Sequence, residues 1–173
     1  IAEKKWDIVI LQTGTVSVLI PENRELKTNK AIAEIKKLIA NPKCRFILFK
    51  TWPLKSKYPE QFCYPSSHID ESIKKKKCCS PVIESLEQEV KLINEAYDLV
   101  AKENNLLKSD NGNKFYEVRT KYPEIELYED TSHPNKYGSF LNACIFYQMI
   151  TNKKASNLKY NGEIEPNKAK LLK

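Results

Sequence analysis

Three features are scarce or missing in this 173-residue chain. No stretch approaches the roughly 20 apolar residues that a membrane-spanning helix needs, so no such helix is predicted. The chain has only three arginines among its 29 basic residues, and no basic stripe with interleaved aromatic residues appears. Its net charge of +7 therefore does not predict a nucleic-acid partner. No internal repeat is visible, which excludes a repeat architecture.

What remains is the composition of an ordinary globular protein, with 41% hydrophobic and 29% charged residues. A chain of this length is large enough for a core of its own, so we predict a single domain over residues 1–173. The residues from 152 onward are rich in Lys and Asn and are predicted as a C-terminal tail.

Short apolar runs and helical stripes alternate along the chain, which predicts an α/β fold with a parallel sheet. The runs at 7–12 and 45–50 are of the kind that is buried on both faces of such a sheet. Ser80 and Pro81 are read as the cap and first residue of a long helix. The other predicted elements are helices at 26–40, 81–103, 115–121, 136–150 and after Pro166, and a weak strand at 106–107.

The most informative stretch begins at Asp130 and reads Asp-Thr-Ser-His-Pro. An Asp three residues before a His can place its carboxylate beside the imidazole, which fixes the tautomer and favours the protonated ring. Pro134 suits a turn that starts a helix, and Gly138 allows that helix to pack closely against a neighbour. The alternative is a polar turn in which Asp130 or Ser132 only caps the helix.

Three segments resemble the SGNH hydrolases, the GDSL-type esterases. The run 127–144 is similar to the last block of a bacterial branch, which reads D-x-x-H-P and then G-S-Y-L-A-A-C. The run 6–12 resembles that branch's W/Y-D-x-V-x-L-Q strand, and 49–53 resembles a strand that ends in T-W. The resemblance spans nearly the whole chain. It implies a three-layer α/β/α, flavodoxin-like fold and ester hydrolysis by a Ser-His-Asp triad, with His133 as general base and Asp130 orienting it.

The sequence departs from the family in its first block. The family's nucleophilic Ser lies in a G-[DN]-S motif at the end of a first strand, upstream of the strand that matches residues 6–12. We therefore expect the Ser and the first strand to lie upstream of Ile1. The expected substrate is a small-molecule or carbohydrate ester, with carbohydrate deacetylation as one form. The alternative function is a catalytically inactive binding module of the same fold.

Ligands bind beyond the carboxyl ends of the strands in an open parallel sheet. Gln12, Gly14, Thr51 and Trp52 follow predicted strands, so they are expected to gather with the Asp–His turn. The resemblance makes Gly14 an oxyanion donor, whereas Thr51 replaces the family's Asn donor. Gln12 is a further candidate donor, and Trp52 is a candidate wall of the substrate pocket. A purely structural role stays open for both.

The segment 51–80 is predicted as a long loop that shapes the substrate site as a lid. It contains His68, a rival catalytic base that has no acidic residue before it in a comparable turn. Neither His68 nor the neighbouring cysteines fit a common zinc spacing, so the sequence predicts no metal and no cofactor.

Five cysteines complete the set of reactive side chains. Cys44 and Cys144 lie in apolar elements and are read as core thiols. Cys63 is expected to bridge Cys78 or Cys79, and Cys63–Cys78 is the pairing we predict. Closing a loop of about 16 residues contributes roughly 3 kcal/mol in the chain-entropy view. A disulfide predicts a secreted or periplasmic protein; the alternative is a cytoplasmic protein with reduced thiols.

Overall fold

The computed structural model describes residues 4–173. These residues form two compact units. The first unit combines the residues up to Thr51 with Lys57–Lys108, and the second combines Trp52–Ser56 with Ser109–Lys173. The single domain expected from chain length stays a prediction.

A parallel sheet organises the first unit. Strands β1 (Ile8–Gln12) and β2 (Arg45–Phe49) pair in parallel over their full length, from Ile8 opposite Arg45 to Gln12 opposite Phe49. The short strand Leu107–Lys108 pairs in parallel with the other side of β2. In the described part of the chain, β1 therefore lies at an edge of this sheet. The α/β fold with a parallel sheet, predicted from the alternating runs, is confirmed.

Burial on both faces, predicted for both strands, holds for β2 and is wrong for β1. Ile47 and Leu48 of β2 point to opposite faces and are both buried. In β1, Leu11 is buried in the core, but 42% of Ile10 is exposed. The reason is the edge position of β1, which leaves one of its sides without a neighbouring strand.

A helical segment follows β1 and contributes to the same core. It consists of α1 (Thr15–Leu19), α2 (Pro21–Asn23), a π-helical turn at Arg24–Thr28 and α3 (Asn29–Lys37). The predicted helix at 26–40 matches only the last part of this segment, and the helical turns at 15–23 were not predicted. Ile32 of α3 is buried in the same core cluster as Leu11 and Leu48 of the sheet.

The long helix α4 spans Leu86–Glu103, five residues later than the predicted start at Pro81. Ser85 caps it, accepting a hydrogen bond from the Gln88 amide at 3.2 Å. Residues just before it are extended instead, since Ile83 forms a β-bridge with Glu60. The Ser80 hydroxyl bonds the Pro81 carbonyl at 2.8 Å and so caps no helix.

The segment predicted as a long loop contains an antiparallel hairpin. Its strands are β3 (Cys63–Pro65) and β4 (Lys77–Cys79), with a 3₁₀ turn at Ser66–His68 after β3. The strand register places Cys63 opposite Cys79 and Tyr64 opposite Cys78.

This register determines which cysteine bonds to Cys63. The structure bonds Cys63 to Cys79, so the predicted Cys63–Cys78 pairing is wrong. Successive residues of a strand point to opposite faces, and only Cys79 shares a face with Cys63. Cys78 is a fully buried free thiol beside Ile20 and Ile69. Cys144 is a buried free thiol as predicted, whereas Cys44 is only partly buried.

The second unit is helical and contains α5 (Asn111–Lys121), α6 (Lys136–Thr151) and α7 (Pro166–Leu172). Helix α6 packs against both α5 and α7. The helix predicted after Pro166 is present, and its Ala169 and Leu172 are buried. Along residues 4–173, none of the helices combines the length and the apolar character that crossing a bilayer requires.

Gly138 lies at the start of α6, where the helix passes closest to its neighbours. A Cβ at this position would lie 2.4 Å from the Leu127 carbonyl oxygen, 2.9 Å from Pro134 Cβ and 3.0 Å from the Phe115 ring. The close packing predicted for Gly138 is therefore present.

Candidate active site

Asp130 and His133 form a hydrogen-bonded pair on the surface of the second unit. Asp130 Oδ2 lies 2.7 Å from His133 Nδ1. The His133 side chain is 76% exposed and that of Asp130 is 51% exposed. Since Asp130 engages Nδ1, Nε2 is the ring nitrogen left to exchange a proton with a bound molecule. An imidazole held in this way by a carboxylate can accept a proton at Nε2 and donate it again.

The second carboxylate oxygen of Asp130 stabilises the turn itself. Oδ1 accepts the backbone N–H of Ser132 at 2.6 Å and that of His133 at 2.7 Å. Helix α6 is capped by Asn135, whose Oδ1 accepts from the amides of Tyr137 and Gly138. The alternative in which Asp130 or Ser132 caps the helix is therefore excluded.

Both members of the pair have shifted pKa values for one shared reason. The hydrogen bond from the His133 ring, with the two backbone amides, holds the pKa of the Asp130 carboxyl well below its usual range. The same hydrogen bond and the negative charge of Asp130 raise the pKa of His133. Asp130 therefore stays ionised and stabilises the imidazolium that forms when His133 accepts a proton.

Aromatic residues hold the turn from within the second unit. Trp52 Nε1 donates to the Ser132 carbonyl at 2.9 Å, and its ring stacks on Phe115 with centroids 4.1 Å apart. The Tyr128 ring meets Phe115 edge-on at 5.7 Å, and its hydroxyl donates to the Pro53 carbonyl at 2.6 Å. Only 6% of Trp52 is exposed, so the structure makes it a positioning residue for the turn.

Ser132 is the hydroxyl closest to the pair, but it is poorly placed for attack. Its Oγ lies 3.4 Å from His133 Nδ1, the nitrogen that Asp130 already engages, and 3.3 Å from Asp130 Oδ1. A nucleophile activated by His133 would need to face Nε2 instead.

In the first unit, a buried hydroxyl cluster joins the loops that follow β1 and β2. The Tyr97 hydroxyl donates to the Thr13 carbonyl at 2.6 Å and lies 2.7 Å from Thr51 Oγ1, which lies 2.8 Å from Thr15 Oγ1. Burial raises the pKa of Tyr97 to about 12, so its phenol stays protonated. Thr51 is 4% exposed. The structure gives Thr51 a scaffold role, and its role towards an oxyanion stays a prediction.

Gly14 and Gln12 lie at the carboxyl end of β1. Gly14 precedes α1, and its carbonyl accepts the Val18 amide at 3.0 Å, so its own amide lies at the start of a helical turn. Gln12 is exposed and lines a cavity of about 710 Å³ beside β1. These positions suit donors to an anionic oxygen, which also stays a prediction.

His68, the rival base, lines the same cavity in the first unit. Its backbone carbonyl accepts Lys27 Nζ at 2.7 Å. Among residues 4–173, no carboxylate contacts its ring as Asp130 contacts His133.

Two residues that support the candidate site were not singled out in the sequence. Asn135 directly precedes the predicted helix 136–150, and Asn is a preferred cap, so that signal was available. Tyr97 belonged to the predicted apolar stripe of α4, where a buried phenol requires a polar partner. The partners themselves, Thr13 and Thr51, are distant in sequence and could not be read from it.

The sequence matches no protein-family model and no curated protein. The structure is similar to a DUF4886 family protein from Bacteroides uniformis, with a TM-score of 0.76 and 15% identity over 99% of this chain and 61% of that chain. It is also similar to an acetyl-xylooligosaccharide esterase from Geobacillus, with a TM-score of 0.51 and 20% identity over 87% of this chain and 62% of that chain. Another variant of that enzyme, described as an acetylxylan esterase from Geobacillus stearothermophilus, gives a TM-score of 0.50 and 19% identity over 87% of this chain and 62% of that chain.

These likenesses show the fold. They agree with the SGNH-like α/β fold that the sequence resemblance implies. This chain spans about three fifths of the chains that it matches, 61% and 62% of their lengths.

Proposed function

We propose that this chain provides the general base and its orienting carboxylate to a serine-type ester hydrolase. His133 is the base, Asp130 orients it, and the nucleophilic Ser lies in a segment upstream of Ile1. The observation that carries this proposal is the 2.7 Å contact between Asp130 Oδ2 and His133 Nδ1 on an exposed turn. A paired His this exposed has no packing role that would account for its geometry.

The proposed reaction proceeds in two steps. The Ser hydroxyl attacks the acyl carbon while His133 Nε2 takes its proton, and the protonated ring then passes that proton to the departing alcohol oxygen. Water attacks the acyl-enzyme in the second step and loses a proton to Nε2. The ring returns that proton to the Ser oxygen as its bond to the acyl carbon breaks and the carboxylic acid leaves. Asp130 remains ionised throughout, as its lowered pKa requires, and stabilises the positive ring in both steps.

The negative oxygen of each tetrahedral intermediate needs donors. We assign the Gly14 amide and the Gln12 side chain as the candidates from this chain. The hydroxyl of Thr51 already contacts Thr15 and Tyr97, so it is the weaker candidate.

For the substrate we propose an acetylated carbohydrate. The support is that one of the similar proteins, solved as mutant variants, is an esterase of acetylated xylan or its oligosaccharides. A location outside the cytoplasm is proposed as well, supported by the Cys63–Cys79 disulfide.

One observation favours the inactive binding module as a second candidate. The nearest hydroxyl in the unit that contains the pair, Ser132 Oγ, approaches Nδ1 and not Nε2. If no Ser is supplied from elsewhere, the turn has no nucleophile to activate.

The test is hydrolysis of an aryl acetate by this chain and by the longer protein with its natural upstream residues. We expect almost no turnover by this chain, and turnover by the longer form that falls by several orders of magnitude in His133→Ala. His68→Ala, at the chain's other histidine, is the matched control and should retain activity. Strong turnover by this chain that survives His133→Ala would overturn the proposal. A longer form that is inactive would favour the binding module.

A further inference from the structure

The second unit contains a recess of about 260 Å³, here called the Arg119 recess. Its charged lining residues are Lys55, Arg119 and Glu126. Main-chain contacts tie its wall to the turn that contains His133. The Lys55 amide donates to the Thr131 carbonyl at 2.9 Å, and Tyr128, which also lines the recess, forms an antiparallel bridge with Pro134. The recess therefore borders the candidate active site.

Two of the three charges in the recess neutralise each other. Lys55 Nζ lies 2.8 Å from Glu126 Oε2, and Glu126 Oε1 accepts the Tyr128 amide at 2.9 Å. Both carboxylate oxygens of Glu126 therefore have a partner within the protein. A molecule that enters the recess meets a neutral ion pair on this side.

The charge of Arg119 is not neutralised in this way. Its Nη1 donates to the Leu54 carbonyl at 3.0 Å, and its guanidinium carbon lies 5.9 Å from the centre of the Tyr128 ring. A guanidinium has five N–H donors, and within residues 4–173 one of them is used and no carboxylate pairs with the group. Arg119 is partly buried, and buried charges are normally paired, so the unpaired group indicates an anionic ligand.

We propose that the Arg119 recess binds the carboxylate of an acidic saccharide. The planar guanidinium matches the two oxygens of a carboxylate. One uncompensated positive charge balances one carboxylate, whereas a phosphate monoester carries a charge of about −1.5 to −2 at pH 7. The recess is smaller than the roughly 300–1,000 Å³ of pockets that hold a whole ligand, so it takes a single sugar residue. Pro123, Ile125 and Leu127 give it an apolar wall for the C–H groups of that residue.

That the carboxylate belongs to a saccharide rests on the proposed function, whereas the binding of a carboxylate rests on the charges and hydrogen bonds of the recess alone. Thr131, which accepts the Lys55 amide, lies two residues before His133 and hence within about 7 Å of it along the backbone. The recess is thus a subsite next to the turn, and it favours acidic over neutral acetylated saccharides.

The test measures binding of D-galacturonate to this chain by NMR, with D-galactose as the matched ligand, because the two sugars differ only in the carboxylate. We expect galacturonate, but not galactose, to shift the amide signals of residues 126–128 in a saturable manner. Arg119→Gln should weaken this binding at least about tenfold, since it removes charged hydrogen bonds. Arg24→Gln is the matched control and should leave the affinity unchanged. Arg24 likewise donates to a main-chain carbonyl, that of Val18 at 2.7 Å, but it belongs to the first unit.

Glu126→Gln gives a readout of the opposite sign. The new side chain keeps an oxygen for the Tyr128 amide but carries no charge, so Lys55 becomes a second uncompensated cation. We expect the affinity for galacturonate to rise about fivefold, the effect of one exposed charge at close range. If Arg119 only stabilised the fold, Glu126→Gln would produce no such gain.

Equal shifts by galacturonate and galactose overturn the proposal, as does binding that persists in a folded Arg119→Gln protein. If Arg119→Gln does not fold, Glu126→Gln decides, and unchanged or weaker binding overturns the proposal. Tighter Arg119-dependent binding of inorganic phosphate than of galacturonate overturns the assignment of a carboxylate. None of these readouts needs turnover. Galacturonate binding beside an inactive longer protein retains the recess and rejects hydrolysis, whereas hydrolysis without galacturonate binding does the reverse.

Discussion

The indole nitrogen of Trp52 donates a hydrogen bond of 2.9 Å to the main-chain oxygen of Ser132, the residue that directly precedes His133 in the turn. The Trp52 ring lies nearly parallel to Phe115, with an interplanar angle of 10°. One buried side chain therefore links the turn that contains Asp130 and His133 to helix α5.

Trp52→Phe removes this hydrogen bond while keeping an aromatic ring on Phe115. We expect the free energy of unfolding to fall by about 1 kcal/mol, the usual net value of one hydrogen bond. Trp52→Ala also opens a cavity and should cost about 3–5 kcal/mol. Denaturant titration measures both. Trp6→Phe is the control, because Trp6 is 41% exposed and should change stability by less than about 0.5 kcal/mol. Equal losses at both tryptophans would contradict the role assigned to Trp52.

Gly138→Ala tests the close approach of α6 to its neighbours. The new methyl group would meet a backbone oxygen at 2.4 Å, which cannot move without shifting the chain at Leu127. We expect a loss of about 1–3 kcal/mol in thermal or denaturant unfolding. At Gly14, the nearest atom to an added Cβ is Ser17 Oγ at 4.0 Å, so Gly14→Ala should be nearly neutral. A larger loss of stability in Gly14→Ala than in Gly138→Ala would contradict the close packing assigned to Gly138.

Asp130→Asn tests the electrostatic coupling of the pair. Since hydrogen bonding and charge from Asp130 raise the pKa of His133, the substitution should return that pKa towards about 6.5. NMR titration of the imidazole measures the change, with His68 as the internal reference. If the pKa of His133 is the same in the wild type and in Asp130→Asn, Asp130 does not raise it.

The same pair predicts the pH dependence of stability. The pKa of Asp130 is lowered on folding, so its contribution is present above about pH 3.9 and is lost as the pH falls through the lowered value. The pKa of His133 is raised, so its contribution is complete below about pH 6.5 and is lost as the pH rises through the raised value. The difference in stability between the wild type and Asp130→Asn should be largest between about pH 4 and 6.5. A difference that is flat across this range would contradict the prediction.

Cys63→Ser should destabilise the hairpin by roughly 3 kcal/mol, because the disulfide closes a loop of 16 residues. Cys78→Ala is the comparison, since Cys78 is a buried free thiol and the change removes only one atom from the core. Peptide mapping without reduction should recover Cys63 joined to Cys79. Recovery of Cys63 joined to Cys78 would show that the register of the hairpin is different.

Local pattern was enough to predict much of the fold. The spacing of apolar residues and nearby helix-breaking residues predicted several elements. These are the strands at 8–12 and 45–49 and the helices that end near 103, 121 and 151. The start of α4 was misplaced because Ser80-Pro81 imitates a helix start, whereas a non-local bridge between Ile83 and Glu60 extends the chain there.

In the candidate site too, features set by local spacing could be predicted, whereas features set by strand pairing could not. The contact between Asp130 and His133 spans three residues, so their spacing predicted it. Cys63 bonds Cys79 and not Cys78 because of the register between β3 and β4. Neither the spacing of the cysteines nor the composition predicts that register. The open edge of β1 likewise depends on which strands are neighbours, a property of the whole sheet.

The phenol of Tyr97 has a mechanical consequence. One oxygen atom contacts the residue after β1 and the second residue after β2, through Thr13 and Thr51. Moving either loop away from Tyr97 would break one of these buried hydrogen bonds. Leaving a buried donor or acceptor unpaired costs about 1–3 kcal/mol. The ends of β1 and β2 are therefore held at a fixed spacing by a side chain as well as by the sheet.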